Sequence, residues 1–336
     1  MSDDVPVIEL RDLAVTYKGR GLRSSAPVAR AVDGVNLRVE RGEVVALVGE
    51  SGCGKSTLAR AVMGLLEPTS GEIRYDGVPV AHSMRRLKAY RKHVQLVLQD
   101  PTGALNPRQS VYESVAEGLR IHHVPGDEEQ LVAAALSRCG LRPPERFFLR
   151  YPHELSGGQR QRVVVAGALV LDPSVLVADE PVSSLDASVR GEILALLLNL
   201  VRELGLSILV ITHDLGLAWN IADRVAVMYL GRIVEEGPTE EILSNPRHPY
   251  TQALLSVVSE VDQMTPQVLT GEPPDPTRIP GGCRFHPRCP ALASGAAEAA
   301  GVADRCRTEL LAPLPDRTVH GAACFLSDVE QGILTD

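Results

Sequence analysis

The stretch GESGCGKST, residues 49–57, combines residue types and a spacing suited to binding phosphate. It matches the pattern G-x-x-x-x-G-K-[S/T] and stands between an apolar strand and the start of a helix. Glycines let backbone N–H groups turn toward phosphate oxygens, and the helix dipole adds to the attraction. Lys55 would reach the β- and γ-phosphates, Ser56 would ligate Mg2+ and Thr57 could contact the α-phosphate. The predicted phosphate site comprises Gly49, Ser51, Gly52, Cys53, Gly54, Lys55, Ser56 and Thr57.

A second motif, LVADEP at residues 176–181, places two carboxylates after an apolar run. Asp179 would hold Mg2+ through water, and Glu180 would orient or deprotonate the attacking water. Adjacent carboxylates repel each other unless a cation or water separates them. The motif alone is common at strand ends, but together with the phosphate loop it predicts a nucleotide-hydrolysing enzyme.

The elements that position these motifs follow from the pattern of apolar residues. In the first half, short β-branched runs alternate with helical patterns, which is typical of an α/β fold. HVQLVLQD, SVLVADE and LSILVITHD predict buried strands of a parallel sheet covered on both faces. A helical insertion is predicted from Ser110 to about Leu149, and DRVAVMYLGRIVEEG predicts a hairpin.

The character of the chain changes toward its end, which predicts two domains. Helices are expected over TEEILSNP and YTQALLSVV, and the Pro-rich GEPPDPTRIPGG predicts a linker over residues 271–282. We place a nucleotide-binding domain at residues 1–243, with a helical subdomain at about 101–160, and a C-terminal extension at 244–336.

Composition excludes several classes of function. The chain has 336 residues and a formal net charge of -8, which argues against nucleic acid as a partner. Its longest apolar runs, such as residues 163–171, are shorter than the roughly 18 residues of a spanning helix. The start MSDDVPVIEL lacks the basic and apolar segments of a secretory signal. A cytosolic protein is expected, in which disulfides are rare.

Four cysteines near the end of the chain form a third candidate site, with the spacing C-x5-C-x16-C-x17-C. Clustered cysteines in a cytosolic protein more often bind metal than form disulfides. Zinc sites usually contain a C-x2-4-C pair, which is absent here, whereas an iron–sulfur cluster accepts looser spacing. A cluster, a zinc ion and disulfide-bonded or unliganded thiols remain as alternatives. The cysteines are Cys283, Cys289, Cys306 and Cys324.

Basic residues near the cysteines bear on these alternatives. Four arginines flank them and could compensate the charge of an anionic cluster, or they could be solvated loop residues. Two histidines keep mixed Cys/His zinc ligation open. The arginines are Arg284, Arg288, Arg305 and Arg307, and the histidines are His286 and His320.

The segment ELSGGQRQRVVVAGALV, residues 154–170, narrows the function. With its LSGGQ motif the sequence resembles the ATP-binding-cassette (ABC) family. The resemblance implies a P-loop NTPase nucleotide-binding domain, with a RecA-like core and antiparallel β and helical subdomains, followed here by a small irregular Cys-rich domain. It also implies that the motif closes over ATP bound by another subunit. The motif residues implied to contact nucleotide are Ser156, Gly157, Gly158 and Gln159.

Further positions match the family in order along the chain. Tyr17 occupies the place of the aromatic residue that stacks on adenine, and Gln99 in LQDP that of the glutamine that senses the γ-phosphate and Mg2+. Ser184 and Asp186 in SSLD match a loop that faces the partner subunit, where the family often carries alanine at Ser184. His213 in ITHD matches a histidine that contacts the γ-phosphate. The resemblance therefore implies catalysis by Glu180, His213, Lys55 and Gln99.

The segment around HPY, residues 248–250, narrows the resemblance to the dipeptide and oligopeptide importers, and to the ATPase chain conventionally called F. It implies an ABC-type peptide translocase on the cytoplasmic face of a bacterial membrane. The implied partners are a second, different ATPase, two permeases and an extracytoplasmic substrate-binding protein. Nickel or another small solute is the alternative cargo. A soluble ATPase acting on nucleic acid or ribosomes is disfavoured by the short insertion and the single LSGGQ.

The resemblance also bears on the cysteines. The peptide-importer family carries this cysteine set and, in relatives, a [4Fe-4S] cluster. It therefore implies ATP, Mg2+ and a [4Fe-4S] cluster of structural role as cofactors, with Zn2+ as the alternative to the cluster.

Overall fold

The computed structural model describes residues 5–18, 28–256, 269, 271–314 and 319–330. Its strands are β1 (Ile8–Lys18), β2 (Val28–Val39), β3 (Val44–Val48), β4 (Ser70–Tyr75), β5 (Val78–Pro79), β6 (Val94–Val97), β7 (Val175–Asp179), β8 (Ser207–Thr212), β9 (Arg224–Tyr229), β10 (Arg232–Pro238) and β11 (Gly321–Ala322).

Helices connect most of these strands, and two short 3-10 helices cover Pro152–Glu154 and His286–Arg288. The α-helices are α1 (Lys55–Val62), α2 (Met84–His93), α3 (Pro101–Ala104), α4 (Val111–His122), α5 (Glu128–Arg138), α6 (Glu145–Phe148), α7 (Gly157–Leu169), α8 (Ala187–Leu204), α9 (Leu215–Ile221), α10 (Thr239–Ser244), α11 (Pro249–Leu255), α12 (Pro290–Ala293), α13 (Ala296–Ala299), α14 (Ala303–Thr308) and α15 (Phe325–Glu330).

The chain forms two compact units, each assembled from separate segments. The first unit joins residues 5–7 with Val39–Val44 and with Tyr75–Ile211. The second joins Ile8–Arg38 with Val45–Arg74 and with the chain from Thr212 onward. The phosphate loop thus belongs to the second unit, and the LVADEP and LSGGQ motifs belong to the first.

In the first unit, β6, β7 and β8 are parallel neighbours, with Val94 opposite Val175 and Val175 opposite Ser207. Every residue of β8 and all but the last residue of β7 are buried, as expected for continuous Val/Ile/Leu runs. The three strands predicted for this sheet are therefore confirmed. The predicted helical insertion is confirmed as α4, α5 and α6, and α4 and α5 pack against α7.

In the second unit, four strands lie in the order β3, β9, β10, β11. The strand β3, which is wholly buried and leads into the phosphate loop, is parallel to β9. The predicted hairpin is confirmed, because β9 and β10 pair antiparallel. The strands β2, β1 and β4 are neighbours in another sheet.

The segment after Ser244 contributes to the core of the second unit. Tyr250 at the start of α11 and Phe285 pack against Tyr229 of β9, with ring centroids 4.7 and 5.1 Å from that of Tyr229. These rings share one apolar cluster with Val48 at the end of β3. The helices predicted over TEEILSNP and YTQALLSVV are confirmed as α10 and α11, the latter through Leu255; residues 257–258 of the second prediction lie outside the described ranges.

Among the described helices, none has both the length and the apolar content that a membrane span requires.

Candidate functional site

The phosphate loop begins where β3 ends, at Gly49, and passes into α1. The residue that precedes this helix is Gly54, whose φ of 115° is disfavoured for any residue with a side chain. A Cβ there would lie 2.1 Å from the carbonyl oxygen of Ala31. No side chain caps α1, so its first N–H groups are oriented toward the loop without a built-in acceptor. This arrangement is suited to an anion.

Lys55 lies at the centre of this loop and is only 6% exposed. Its Nζ donates hydrogen bonds to the carbonyl oxygens of Gly49 at 2.6 Å and of Glu50 at 2.9 Å. The Sγ of Cys53 lies 3.7 Å from the same nitrogen. Burial raises the pKa of the Cys53 thiol, and the Lys55 charge opposes part of that rise. The loop is thus organised around one buried cation.

Tyr17 is placed next to the loop by β1. The residue is 41% exposed, and its hydroxyl oxygen lies 3.5 Å from Oγ1 of Thr57. Ser56 is exposed on the first turn of α1. An exposed ring beside a phosphate loop is suited to stacking on a base.

In the first unit, Asp179 ends β7 and Glu180 follows it. The φ of Glu180 is +47°, a left-handed conformation that costs a non-glycine residue roughly 1–3 kcal/mol and is common at functional sites. Its N–H donates to the carbonyl oxygen of Ile211 at 2.8 Å. The Gln99 Nε2 donates to Glu180 Oε2 at 3.0 Å. The carboxylate is therefore oriented by both its backbone and a neighbouring amide.

The SSLD loop continues from this carboxylate. Ser184 Oγ donates to the carbonyl oxygen of Gln99 at 3.3 Å, which joins the loop to the residue that orients Glu180. Asp186 is exposed and precedes α8. His213, in the second unit, is exposed directly after β8.

The LSGGQ turn begins α7 and is stabilised by its own side chains. Ser156 Oγ accepts from the N–H of Gln159 at 3.2 Å, and the Gln159 side chain accepts from the N–H of Ser156 at 3.1 Å. This reciprocal capping box stabilises the start of α7. A Cβ at Gly158 would lie 2.6 Å from Cγ1 of Val189, so any larger residue would have to displace that side chain of α8.

The structure thus groups the predicted residues within each unit. In the second unit, Tyr17, Lys55 and Thr57 gather at the phosphate loop. In the first unit, Gln99 contacts both Glu180 and Ser184.

The four cysteines near the end of the chain line one cavity. The backbone N–H of Cys283 donates to the carbonyl oxygen of Cys306 at 2.9 Å, which joins two of them directly. Among the described residues none of the four forms a disulfide, and burial raises the pKa of Cys283 to about 11 and that of Cys324 to about 12. Over the ranges that the structure describes, no three His, Cys, Asp or Glu side chains form a group suited to one metal ion.

The residues flanking the cysteines separate into distinct roles. His286 lines the cavity, whereas His320 is not among the lining residues and instead lies with Nε2 2.7 Å from Oε1 of the buried Glu235. Arg284 and Arg288 are buried and paired with carboxylates, so the solvated-loop interpretation is wrong for these two.

His248 also lines the cysteine cavity, and the sequence offered no chemical signal for that position. Its Nδ1 accepts from the N–H of Tyr250 at 3.0 Å, so the ring proton resides on Nε2. That Nε2 is buried and has no hydrogen-bond partner among the described residues. Burial lowers the pKa of His248 to about 4, with Glu235 opposing the shift. The histidine is therefore neutral and carries an unused donor.

Two family models match the chain. The model described as ABC transporter matches residues 32–183, and the model described as oligopeptide/dipeptide transporter, C-terminal region, matches residues 234–294.

Individual proteins show the same likeness. The dipeptide transport ATP-binding protein DppF of Haemophilus influenzae is 47% identical over 299 residues, which cover 86% of this chain and 90% of that protein. The structure of cbiO1 from Clostridium perfringens, part of the ABC transporter complex cbiONQ, is 34% identical with a TM-score of 0.64, over 72% of this chain and 92% of that one.

A second solved structure, the dimeric bacterial ABC transporter cassette MJ0796, is 30% identical with a TM-score of 0.61, over 69% of this chain and 98% of that one. The predicted P-loop NTPase fold of the nucleotide-binding domain is thereby confirmed. The chain belongs to the ABC transporter family, as an ATP-hydrolysing subunit. Within that family it falls in the group that carries the oligopeptide/dipeptide transporter C-terminal region.

Proposed function

We propose that this chain is the ATP-hydrolysing motor subunit of a membrane importer of di- or oligopeptides. The observation that carries the proposal is the presence, in one chain, of an intact phosphate loop and a match to the C-terminal region of oligopeptide/dipeptide transporters. The 47% identical relative from Haemophilus influenzae is named a dipeptide transport protein, which supports the same cargo.

Nucleotide binding is assigned to residues 49–57 with Tyr17. Lys55 Nζ donates to two carbonyl oxygens of the loop. The oxygens of the β- and γ-phosphates carry more negative charge than carbonyls, so they would replace these carbonyls as acceptors. The uncapped start of α1 supplies further N–H donors, and Tyr17 stacks on the adenine.

Hydrolysis is assigned to Glu180, which holds and deprotonates the attacking water. Gln99 keeps that carboxylate oriented through its 3.0 Å hydrogen bond, and His213 contacts the γ-phosphate. Ser56, Asp179 and Gln99 offer hydroxyl, carboxylate and amide oxygens, which are the hard ligands that Mg2+ prefers. When bound, Mg2+ neutralises charge that develops on the phosphates.

The partner of this chain is proposed to be a second ATPase in a head-to-tail dimer. The LSGGQ turn and the exposed Asp186 would meet the nucleotide bound to the partner. The solved structure of a similar cassette is a dimer, which supports this assembly. We propose a heterodimer, as the resemblance to the peptide-importer branch implies.

The dimer is proposed to lie beneath two permease subunits on the cytoplasmic face of the membrane, as a peripheral protein. An extracytoplasmic binding protein delivers the peptide. Residues 244–336 form an extension that distinguishes this branch, following the nucleotide-binding domain at residues 1–243.

The motor is tested by Glu180→Gln in the assembled importer. We expect MgATP binding to persist, ATP hydrolysis to fall at least about 100-fold and the ATP-bound dimer to accumulate. Size-exclusion chromatography with ATP and a phosphate-release assay measure these outcomes. Unchanged hydrolysis would remove Glu180 from its role. Uptake of nickel but not of dipeptides by the wild-type importer would contradict the proposed cargo.

We also propose that the four cysteines hold a [4Fe-4S] cluster, with Zn2+ as the alternative occupant. Support comes from their convergence on one cavity and from the buried, unpartnered Nε2 of His248 beside it. A cluster would place its own iron and sulfide between the cysteine ligands. Its thiolates would therefore lie farther apart than the thiolates around a single zinc ion, each of which binds the metal at about 2.3 Å. The bound cluster would supply a rigid crosslink for a segment with little core of its own.

The occupant is identified by anaerobic purification, followed by quantification of iron, sulfide and zinc and a visible spectrum. About four iron atoms per chain with absorbance near 400 nm is the expected result. One zinc per chain without that absorbance would establish the alternative. His248→Ala should shift the reduction potential of a bound cluster, because the cavity would lose the unpaired Nε2–H donor that His248 could offer to it.

A further inference from the structure

The phosphate loop forms an ion pair with Arg288, which lies between Cys283 and Cys289 in the sequence. Arg288 donates from Nη1 to Glu50 Oε2 at 2.7 Å and from Nη2 to Glu50 Oε1 at 3.0 Å. Arg288 is 7% exposed, so this two-pronged pair is largely removed from solvent. Such bidentate charge-assisted bonds are stronger and geometrically more specific than single ones.

The C-terminal extension, residues 244–336, also binds the backbone of Glu50. Its N–H donates to the hydroxyl oxygen of Tyr250 at 2.8 Å, and the Tyr250 side chain is fully buried. The guanidinium carbon of Arg288 lies 6.0 Å from the ring centroid of Tyr229, against which Tyr250 packs. Both the side chain and the main chain of this loop residue therefore depend on contacts with the extension.

A second attachment reaches the loop three residues later. The N–H of Gly231 donates to the carbonyl oxygen of Cys53 at 2.8 Å. The neighbouring carbonyl of Leu230 accepts from Arg284 at 2.5 Å, and Arg284 also pairs with Asp33. Arg284 of the extension thus stabilises the turn at Leu230 and Gly231, and this turn binds the phosphate loop at Cys53.

The charge of Glu50 gives these contacts a consequence for nucleotide binding. The loop must hold a polyanion, and a carboxylate within it repels that polyanion unless a cation compensates it. Arg288 supplies the compensation and holds the carboxylate in place.

We propose that Arg288 is a positioning residue for nucleotide binding, through which the carboxy-terminal extension sets the affinity of the phosphate loop for MgATP. The inference rests on the proposed role of residues 49–57 as the ATP site. Arg288 ends the 3-10 turn His286–Arg288, which follows Cys283 and precedes Cys289. We therefore expect a change in what those cysteines bind to reach the nucleotide through this side chain.

The test compares MgATP affinity, KM and kcat among variants of the full chain in its complex. Arg288→Met should weaken MgATP binding by about tenfold, the size expected for one uncompensated charge beside a polyanion, and should raise KM with kcat nearly unchanged. Arg288→Lys should restore part of the affinity. Arg288→Met combined with Glu50→Gln should recover most of it, because the unpaired carboxylate is gone.

Arg120→Met is the matched control. Arg120 makes an equally bidentate pair with Glu128, at 3.0 and 2.7 Å, but 52% of its side chain is exposed. Its loss should leave MgATP affinity unchanged. Equal affinity of wild type and Arg288→Met would overturn the proposal, as would an Arg288→Met defect that Glu50→Gln fails to relieve in a folded protein. Failure of the wild-type chain to bind MgATP would instead refute the ATP site itself.

The link to the cysteines has its own measurement. Cys289→Ser should weaken MgATP binding in the wild-type background and add little in the Arg288→Met, Glu50→Gln background, because the two changes act through one path. If Cys289→Ser left MgATP affinity unchanged, or lowered it equally in both backgrounds, the cysteines would not act on nucleotide binding through Arg288.

Discussion

The phosphate loop and the LSGGQ turn both begin a helix with glycines, but they satisfy that helix end in opposite ways. No side chain caps α1 after Gly54. By contrast, Ser156 caps α7, and Gln159 bonds back to the Ser156 N–H. Because the first N–H groups of a helix lack partners within it, one turn keeps donors for a ligand and the other supplies its own acceptors.

This difference indicates which step each turn serves. The phosphate loop cannot stabilise its own end, so its shape depends on neighbours such as Ala31, Tyr250 and Arg288. The LSGGQ turn is complete without a ligand and can present a fixed surface to a partner. Substitutions in the phosphate loop should therefore impair nucleotide binding, and those in the LSGGQ turn should impair hydrolysis after binding.

The largest effect is expected from Gly54→Ala. Its Cβ would lie 2.1 Å from the carbonyl oxygen of Ala31, and its φ of 115° is strained for alanine. The loop must deform, so MgATP affinity should fall at least about 100-fold, as when reacting groups are displaced by an ångström. Isothermal titration calorimetry measures the loss.

Gly52→Ala separates steric crowding from backbone strain. Its φ is +80°, but a Cβ there would meet no heavy atom of the described residues within 4 Å. The variant should bind MgATP more weakly than wild type but much better than Gly54→Ala. Equal losses in both variants would show that close packing against Ala31 is not what fixes the loop.

A smaller effect, confined to hydrolysis, is expected from Ser156→Ala. Removing the cap of α7 should destabilise the chain by about 1 kcal/mol. ATP hydrolysis should fall by about tenfold, because a loosened cap displaces the turn proposed to meet the partner's nucleotide. MgATP affinity of the isolated chain should stay the same. Calorimetry and a phosphate-release assay report the two quantities.

The chain offers a matched control in α4. Ser110 and Glu113 form the same capping box, with Ser110 Oγ accepting from the Glu113 N–H at 3.2 Å. Ser110→Ala should cost a similar 1 kcal/mol or so of stability and leave hydrolysis by the ATPase dimer intact. A parallel loss of hydrolysis in both variants would mean that stability alone accounts for the Ser156 effect.

The backbone of both turns was predictable because it follows from local patterns. A buried strand, a glycine turn and a helix start are specified by adjacent residues. The cap of α7 is also local, because Ser156 and Gln159 are only three positions apart in the sequence. The buried parallel strands β7 and β8 were equally evident from continuous apolar runs. By contrast, β4 and α2 were not predicted, since SGEIRY and MRRLKAYRKH are largely polar.

The contacts that hold the phosphate loop could not be predicted, because they join distant residues. Arg288 and Glu50 are 238 positions apart, and no local pattern marks either as a partner of the other. The sequence suggested that Arg288 compensates a cluster or is solvated, whereas its guanidinium is buried against a carboxylate. His248 was noted only as part of a family motif, since the burial of its Nε2 depends on how the whole extension folds.

The smallest effect is expected from Tyr17→Ala, which tests whether the ring contacts the adenine base while the phosphate loop binds the phosphates. Tyr17→Ala should weaken MgATP binding by about fivefold, near the lower limit for a base stacked on an aromatic ring, because Tyr17 is 41% exposed. Tyr17→Phe should bind like wild type, since the hydroxyl lies a long 3.5 Å from Thr57 Oγ1. Competition by tripolyphosphate, which has no base, should be the same for all three proteins. If Tyr17→Ala also weakened tripolyphosphate, the ring would support the loop and not the adenine.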